Sequence, residues 1–271
     1  MNKKKIAILG GGNLGISMAL GLLKSGFTEP SLIKITRRRA HLIKFLENKG
    51  LQVTDNNLDA SRHADIVVIC VKPYQISAVL NEIKPVLTPN HIIVSTVTGF
   101  TMKEIVDITG PGIPVFRTMP NTALAIRESM TCISVFDKKH EKETILVIEL
   151  FNQLGKTQVI NEELMGAATV IGACGVAFAL RFLRALTQGG IEIGFGADLA
   201  QQITAQTLNG ASKLILESGQ HPEKEIDKVT TPLGITISGL NEMEHHGFSS
   251  ALIKGLLTSF RKLDTLKTKR D

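Results

Sequence analysis

The stretch Lys5-Ile6-Ala7-Ile8-Leu9-Gly10-Gly11-Gly12-Asn13-Leu14-Gly15 decides the fold. A short apolar run rich in β-branched residues ends abruptly in three glycines. Apolar residues then recur at helical spacing to residue 25. The pattern Gly10-x-Gly12-x-x-Gly15 thus joins the end of a strand to the start of a helix, the context that gives it meaning. Gly10 permits a tight turn, Gly12 lets the backbone approach a diphosphate, and Gly15 lets the helix pack closely on the strand. The N–H groups at the helix tip, around Asn13 and Leu14, then face the anion at the positive end of the helix dipole.

Outward from this turn, strand and helix signals alternate. Residues 32–36 read as a strand and 38–49 as a helix. Residues 65–71 form a continuous β-branched run, as in a strand buried on both faces. A helix over 73–83 starts with Pro73 in its first turn. Strands are predicted at 91–96, 115–117, 130–135 and 157–160, and helices at 101–106 and 139–154. Repeated βαβ units of this kind predict an α/β fold, a Rossmann doubly wound parallel sheet. After Asn161 only helical periodicity remains, with breaks at Gly189-Gly190, near 194–197, near 219–222 and at 230–234. The chain therefore reads as a dinucleotide-binding domain over 1–161 and an all-helical domain over 162–271. Large apolar helical faces in the second half predict a homodimer or higher homo-oligomer. The uncharged stretch 164–180 approaches a membrane-spanning length, but its three glycines and the arginines that follow, Arg181 and Arg184, favour a buried core helix.

Composition narrows the function. Basic residues outnumber acidic ones by 31 to 25, yet the two are interspersed, and aromatic residues for base stacking are scarce. Lys3-Lys4-Lys5 and the tail 267–271 read as solvated ends, so nucleic acid is not the expected partner. Cys70, Cys132 and Cys174 lie far apart in apolar runs, which fits reduced thiols in a cytoplasmic protein. His245-His246 has no nearby Cys partners, so no metal site is expected. Glycines interrupt the first apolar run, so no signal peptide is expected.

The end of the second strand selects the nucleotide. An acid there would bind the ribose 2′-OH of NAD. This chain has Thr36-Arg37-Arg38-Arg39, and guanidinium groups suit the extra phosphate of NADP. Val71-Lys72-Pro73 closes the next buried strand at its carboxyl end, where ligands of open α/β sheets bind. Farther on, Thr230-Thr231-Pro232 precedes Gly234 and a new helix, so a hydroxyl and a helix N-terminus come together there.

These residues, with Met119-Pro120-Asn121-Thr122, Glu217-Ser218-Gly219-Gln220-His221-Pro222, Asp227-Lys228-Val229-Thr230-Thr231-Pro232 and Thr236-Ile237-Ser238-Gly239-Leu240, resemble the pyrroline-5-carboxylate reductase family. The resemblance runs over nearly the whole chain. It implies NAD(P)H-dependent reduction of the cyclic imine 1-pyrroline-5-carboxylate to proline by an intertwined dimer. It also implies roles for particular residues. Asn57 lies near the adenosine ribose and Asn121 near the nicotinamide. Thr236 is the catalytic hydroxyl at the substrate's ring nitrogen. The backbone around Gly234, Ile235 and Thr236 holds the carboxylate, and Thr231 is a further expected substrate-binding residue.

The departures from the family pattern gather near that site. Ala123 replaces a proline, Ser129 a glycine, and Gly172-Ala173-Cys174-Gly175-Val176 a segment bearing hydroxyls and a proline. Leu233 replaces a glycine, and Ile235 is more apolar than usual. Two further readings stay open on these grounds: a related NADP-dependent reductase of another small imine or keto acid, and a weakly catalytic NADP-binding regulatory protein. A leucine at 233 would be strained if the turn needs positive φ there.

Overall fold

The computed structural model describes residues 4–268, with side chains through 263. The expectations for Lys3 and for residues 269–271 lie outside this range. Eight strands form one sheet: β1 (Ile6–Leu9), β2 (Ile33–Thr36), β3 (Gln52–Thr54), β4 (Ile66–Ile69), β5 (Ile92–Ser95), β6 (Val115–Met119), β7 (Ser129–Val135) and β8 (Gly155–Val159). Their order is β3-β2-β1-β4-β5-β6-β7-β8. Helices α1 (Asn13–Ser25), α2 (Asn57–Arg62), α3 (Ile76–Ile83), α4 (Met102–Thr109) and α5 (Glu141–Asn152) connect them.

Both faces of the sheet are covered, which explains the unbroken apolar strands. Ile6, Ile8, Ile33, Ile35, Ile66, Val68, Ile92 and Val94 join one buried cluster with Met18 and Leu22 of α1 and Phe151 of α5. The intervening residues point the other way: Ala7, Leu9 and Val67 pack with Val79 and Ile83 of α3. Ile69, Ile93 and Val115 pack with Ile76, Leu80 and Ile105 on that same side. Each fully buried aliphatic side chain contributes about 2 kcal/mol of hydrophobic stabilisation before entropy is subtracted.

Several expectations need correction. The sheet is mixed, because β7 runs antiparallel to β6 and parallel to β8. Only a single 3₁₀ turn, Thr122–Ile126, links β6 to β7; a parallel return needs a crossover of a dozen or more residues. The helix predicted over 38–49 is a 3₁₀ helix, Ala40–Lys49. The segment at 73–83 begins as a 3₁₀ turn, Pro73–Gln75, before α3. Strand β3 and helix α2 were not legible as elements. Strand β3 has three residues and no apolar alternation, and α2 is under two turns long.

Helices also fill the second half: α6 (Met165–Ala168), α7 (Gly175–Glu192), α8 (Ala197–Ser218), α9 (Pro222–Lys228), α10 (Ile235–His245) and α11 (Phe248–Thr268). A π-turn, Thr169–Cys174, joins α6 to α7. Helix α7 passes straight through Gly189-Gly190, so no break occurs there. The continuous run Glu162–Glu192 is long and apolar enough to cross a membrane, yet little of it is buried in the single chain. The expectation of a core helix fails in that sense, since α7 has no buried residue.

The chain divides into two compact units. One holds residues up to Cys174 together with those from Phe260 on, and the other is Gly175–Ser259. The sheet unit thus extends past residue 161: Thr169 and Val170 of the π-turn are buried, and Phe260 lies against Gly166. Within the second unit, Phe182 of α7 and Phe248 of α11 meet with ring centroids 5.8 Å apart.

Candidate active site

The glycine turn is built as its residue types require. Gly10 has φ +115°, and a Cβ there would lie 2.6 Å from the carbonyl oxygen of Cys70, just after β4. A Cβ on Gly15 would collide with the carbonyl oxygen of Gly10. Gly12 differs: a Cβ there would meet nothing within 4 Å, so the turn leaves open space at the tip of α1. No side chain caps α1, and its first turn carries no acid. The N–H groups of Asn13 and Leu14 have no partner inside the helix. Uncapped donors over an open cradle fit a dinucleotide diphosphate.

Strand β2 ends on the same turn. The N–H groups of Gly10 and Gly11 donate to the carbonyl oxygen of Thr36 at 3.2 and 2.6 Å. Arg37 donates from Nη1 to the Gly11 carbonyl oxygen at 3.1 Å, which ties its guanidinium to the turn. Arg38 is exposed beside it. The Thr36 hydroxyl donates to Asn57 Oδ1 at 2.6 Å. Asn57 Nδ2 donates in turn to Glu82 Oε2 of α3 at 2.9 Å. The structure therefore gathers Gly10, Gly12, Thr36, Arg37 and Asn57 at one edge and adds Glu82. That side chain carried no sequence signal, because its partner is 25 residues away.

Val71-Lys72-Pro73 follows β4 at the carboxyl edge of the sheet. Val71 packs into two of the buried clusters, while Lys72 is exposed, its N–H donating to Gln75 Oε1 at 3.2 Å. Desolvation pushes the nearby Cys70 thiol up to about 11, partly opposed by a hydrogen bond from the Thr96 hydroxyl.

Asn121, two residues past the end of β6, is buried and held from several sides. Its Oδ1 accepts from Ala123 N–H at 3.0 Å, and its Nδ2 donates to the Gly172 carbonyl oxygen in the π-turn at 2.9 Å. Its own N–H donates to the Ser129 hydroxyl at 3.1 Å. Two of the departures noted above thus have a structural use. Ala123 supplies an N–H that a proline lacks, and Ser129 supplies a buried acceptor that a glycine lacks. The π-turn turns a carbonyl aside from the helical ladder, a recurrent feature of functional sites.

In the second unit, Thr231, Pro232, Leu233 and Gly234 close a turn in which Gly234 N–H donates to the Thr231 carbonyl oxygen at 2.9 Å. That amide is consumed, so the first-turn amides of Ile235 and Thr236 are the donors α10 has left. No side chain caps this helix. Leu233 lies at φ +58°, so the anticipated strain is present. Leu233 is 103% exposed and Ile235 92%, and Thr231 and Thr236 are also exposed in the single chain. His246 follows α10 and contacts Glu242 at 3.0 Å. Among the described residues no cluster of His, Cys, Asp and Glu could hold a metal ion.

Comparison with known proteins places this geometry. The model of the family described as pyrroline-5-carboxylate reductase dimerisation matches residues 162–266. The one described as NADP oxidoreductase, coenzyme F420-dependent, matches residues 5–99. Pyrroline-5-carboxylate reductase 2 of Dictyostelium discoideum is 42% identical over 96% of this chain and 92% of its own length. The chain belongs to the pyrroline-5-carboxylate reductase family. Pyrroline-5-carboxylate reductase 1 of the same organism is 44% identical over 98% of this chain, which spans half the length of that relative. Among solved structures, Plasmodium falciparum pyrroline carboxylate reductase with NADP bound has a TM-score of 0.90 and 25% identity, covering 98% of this chain and 99% of that one. The Coxiella burnetii pyrroline-5-carboxylate reductase gives 0.86 and 26%, with the same coverage. The uncapped α1 tip and the arginines after β2 are of the kind that would suit the NADP that the Plasmodium falciparum structure holds.

Proposed function

We propose that this chain reduces the cyclic imine 1-pyrroline-5-carboxylate to proline with NADPH, as a soluble cytoplasmic homodimer or higher homo-oligomer. The observation that carries this reading is likeness to pyrroline-5-carboxylate reductases through both halves of the chain.

The chemistry asks little acid–base power of the protein. A protonated imine is already an electrophile, so it needs placement, exclusion of water and a grip on its carboxylate. Bound NADPH supplies the hydride. Gly10, Gly12, Asn13, Leu14 and Gly15 hold the diphosphate. Arg37 and Arg38 take the 2′-phosphate, and Thr36 and Asn57 flank the adenosine ribose. Val71, Lys72 and Pro73 line the cofactor's path, and Asn121 serves its nicotinamide end. The amides of Ile235 and Thr236, on the turn from Thr231 to Gly234, grip the substrate carboxylate. The Thr236 hydroxyl accepts the hydrogen bond of the protonated ring nitrogen and keeps that proton in place.

Residues 162–271 act as the dimerisation and substrate domain. Its exposed apolar residues, among them Leu180, Leu186, Ile191, Leu199 and Ile203, support burial against a second copy. That partner surface also gives the apolar run Glu162–Glu192 a protein environment in place of a membrane. Light scattering on purified protein tests the assembly; a monomer would contradict it.

A second reading has one specific observation behind it. Leu233 and Ile235 present two large apolar side chains at the substrate turn, which favours an imine or keto acid with a bulkier apolar body. Oxidation of NADPH by purified protein, assayed with pyrroline-5-carboxylate and a panel of cyclic imines and keto acids, separates the two. Turnover with pyrroline-5-carboxylate supports the first; turnover only with other substrates overturns it. NADPH binding without any turnover supports a regulatory protein.

A further inference from the structure

We infer that Glu82 is a positioning residue for the cofactor's adenosine half: it sets the polarity of a hydrogen-bonded chain running from α3 to the glycine turn. This rests on cofactor binding at that turn, as proposed above.

The chain has four members. Glu82 Oε2 accepts from Asn57 Nδ2 at 2.9 Å. Asn57 Oδ1 accepts from the Thr36 hydroxyl at 2.6 Å. Thr36 Oγ1 accepts a share of the Gly10 N–H at 3.3 Å, the rest going to the Thr36 carbonyl oxygen at 3.2 Å. Two of these groups could reverse direction. An asparagine amide can present either end, and a hydroxyl can donate or accept. An ionised carboxylate only accepts, so Glu82 forces the nitrogen of Asn57 toward itself and the oxygen toward Thr36. The Thr36 proton is then committed to Asn57, and the lone pairs of Thr36 Oγ1 face Gly10. The second N–H of Asn57 Nδ2 stays available as a fixed donor beside the end of β2. Ribose hydroxyls and a 2′-phosphate both offer oxygen acceptors to such a donor.

A surface carboxylate with no such role predicts the opposite behaviour. Neutralising an acid beside a phosphate site removes repulsion and strengthens binding. Removing the fixed acceptor frees the Asn57 amide to turn over, which weakens binding. The sign of the effect therefore separates positioning from simple proximity.

The test is calorimetric titration of NADPH into wild type, Glu82→Gln, Asn57→Ala and the double variant, with steady-state kinetics and thermal unfolding of each. Glu82 is exposed, so Glu82→Gln keeps the wild-type unfolding temperature. We expect Kd for NADPH to weaken roughly three- to tenfold in Glu82→Gln, which corresponds to a coupling of ordinary size between contacting residues. The loss falls on KM for NADPH rather than on kcat, and Glu82→Gln adds less than about twofold in the Asn57→Ala background. Unchanged or tighter binding by Glu82→Gln overturns the inference, as does an equal loss with Asn57 already removed. Failure of wild type to bind NADPH is a different result, and it overturns the cofactor reading itself.

Discussion

The guanidinium of Arg117, buried in β6, donates from Nη1 to Glu162 Oε1 at 3.1 Å, and the same oxygen accepts from Met102 N–H at the start of α4 at 2.8 Å. One carboxylate thus ties the sheet, α4 and the beginning of the long apolar helical run together. The Arg117 side chain is 7% exposed, and its Nε has no partner. Removing the carboxylate leaves a buried cation with nothing to offset it. We expect Glu162→Ala to destabilise the protein by about 3 kcal/mol in urea unfolding. A loss under about 1 kcal/mol would mean that water replaces Glu162 freely.

Leu233 occupies a conformation that costs an L-residue about 1–2 kcal/mol. Its side chain is fully exposed, so no packing in the single chain offsets this cost. Leu233→Gly should keep the fold and stabilise it by up to about 1 kcal/mol, because glycine also gains freedom in the unfolded chain. If the strained leucine also narrows the substrate turn, kcat/KM for pyrroline-5-carboxylate rises in this variant. Lower activity with unchanged stability would mean that Leu233 serves the true substrate.

The two ends of the reaction can be separated by substitution. Arg37→Glu with Arg38→Glu should weaken NADPH far more than NADH, because only NADPH has the phosphate they would meet. Equal weakening would remove both arginines from 2′-phosphate recognition. Thr236→Ala should lower kcat roughly tenfold or more, a loss of about 1.4 kcal/mol of transition-state stabilisation, with NADPH affinity intact. Unchanged turnover would take Thr236 out of the site.

Two groups give the stability a defined pH dependence. The hydrogen bond and charge of Lys34, 2.9 Å away, hold the Asp59 carboxyl below its ordinary 3.8. A lowered carboxyl contributes stability above 3.8 that disappears as pH falls below it. Because Asp59 is nearly half exposed, Asp59→Asn should cost only about 0.5 kcal/mol at neutral pH and nothing in strong acid. Cys70 behaves in the opposite sense. Its thiol, raised from 9.0 to about 11, contributes fully below 9.0 and loses that contribution as pH climbs toward 11. Cys70→Ala should therefore flatten the alkaline loss of stability, and a thiol probe should label native Cys70 slowly at pH near 8. Rapid labelling would show the thiol to be accessible.

What the sequence reveals depends on how local the causes are. The β1–α1 turn was legible because its glycines, strand and helix are contiguous, and the structure gives Gly10 and Gly15 a steric reason and leaves open space at Gly12. Strand β4 was legible because burial on both faces leaves an unbroken apolar run. The start of α2 had a signal that could have been read: Asn56 caps the helix by accepting from Asp59 N–H at 2.9 Å. The reversed direction of β7 was hidden, since an apolar strand carries no mark of its orientation. Glu82, Glu162 and the Gly172 carbonyl were hidden for a different reason. Their partners lie 25, 45 and 51 residues away and meet only in the folded sheet. The exposed apolar run through α7 looked like core because pattern alone does not distinguish the interior of one chain from an interface between two.

The most direct test concerns Gly12, whose missing Cβ leaves empty space where the diphosphate is to lie. Its φ of −86° is open to alanine, so Gly12→Ala should unfold at the wild-type temperature. Calorimetric titration should then show NADPH bound by wild type and weakened at least about tenfold, or 1.4 kcal/mol, in the variant. Equal binding by the two proteins, or none by wild type, would contradict the account.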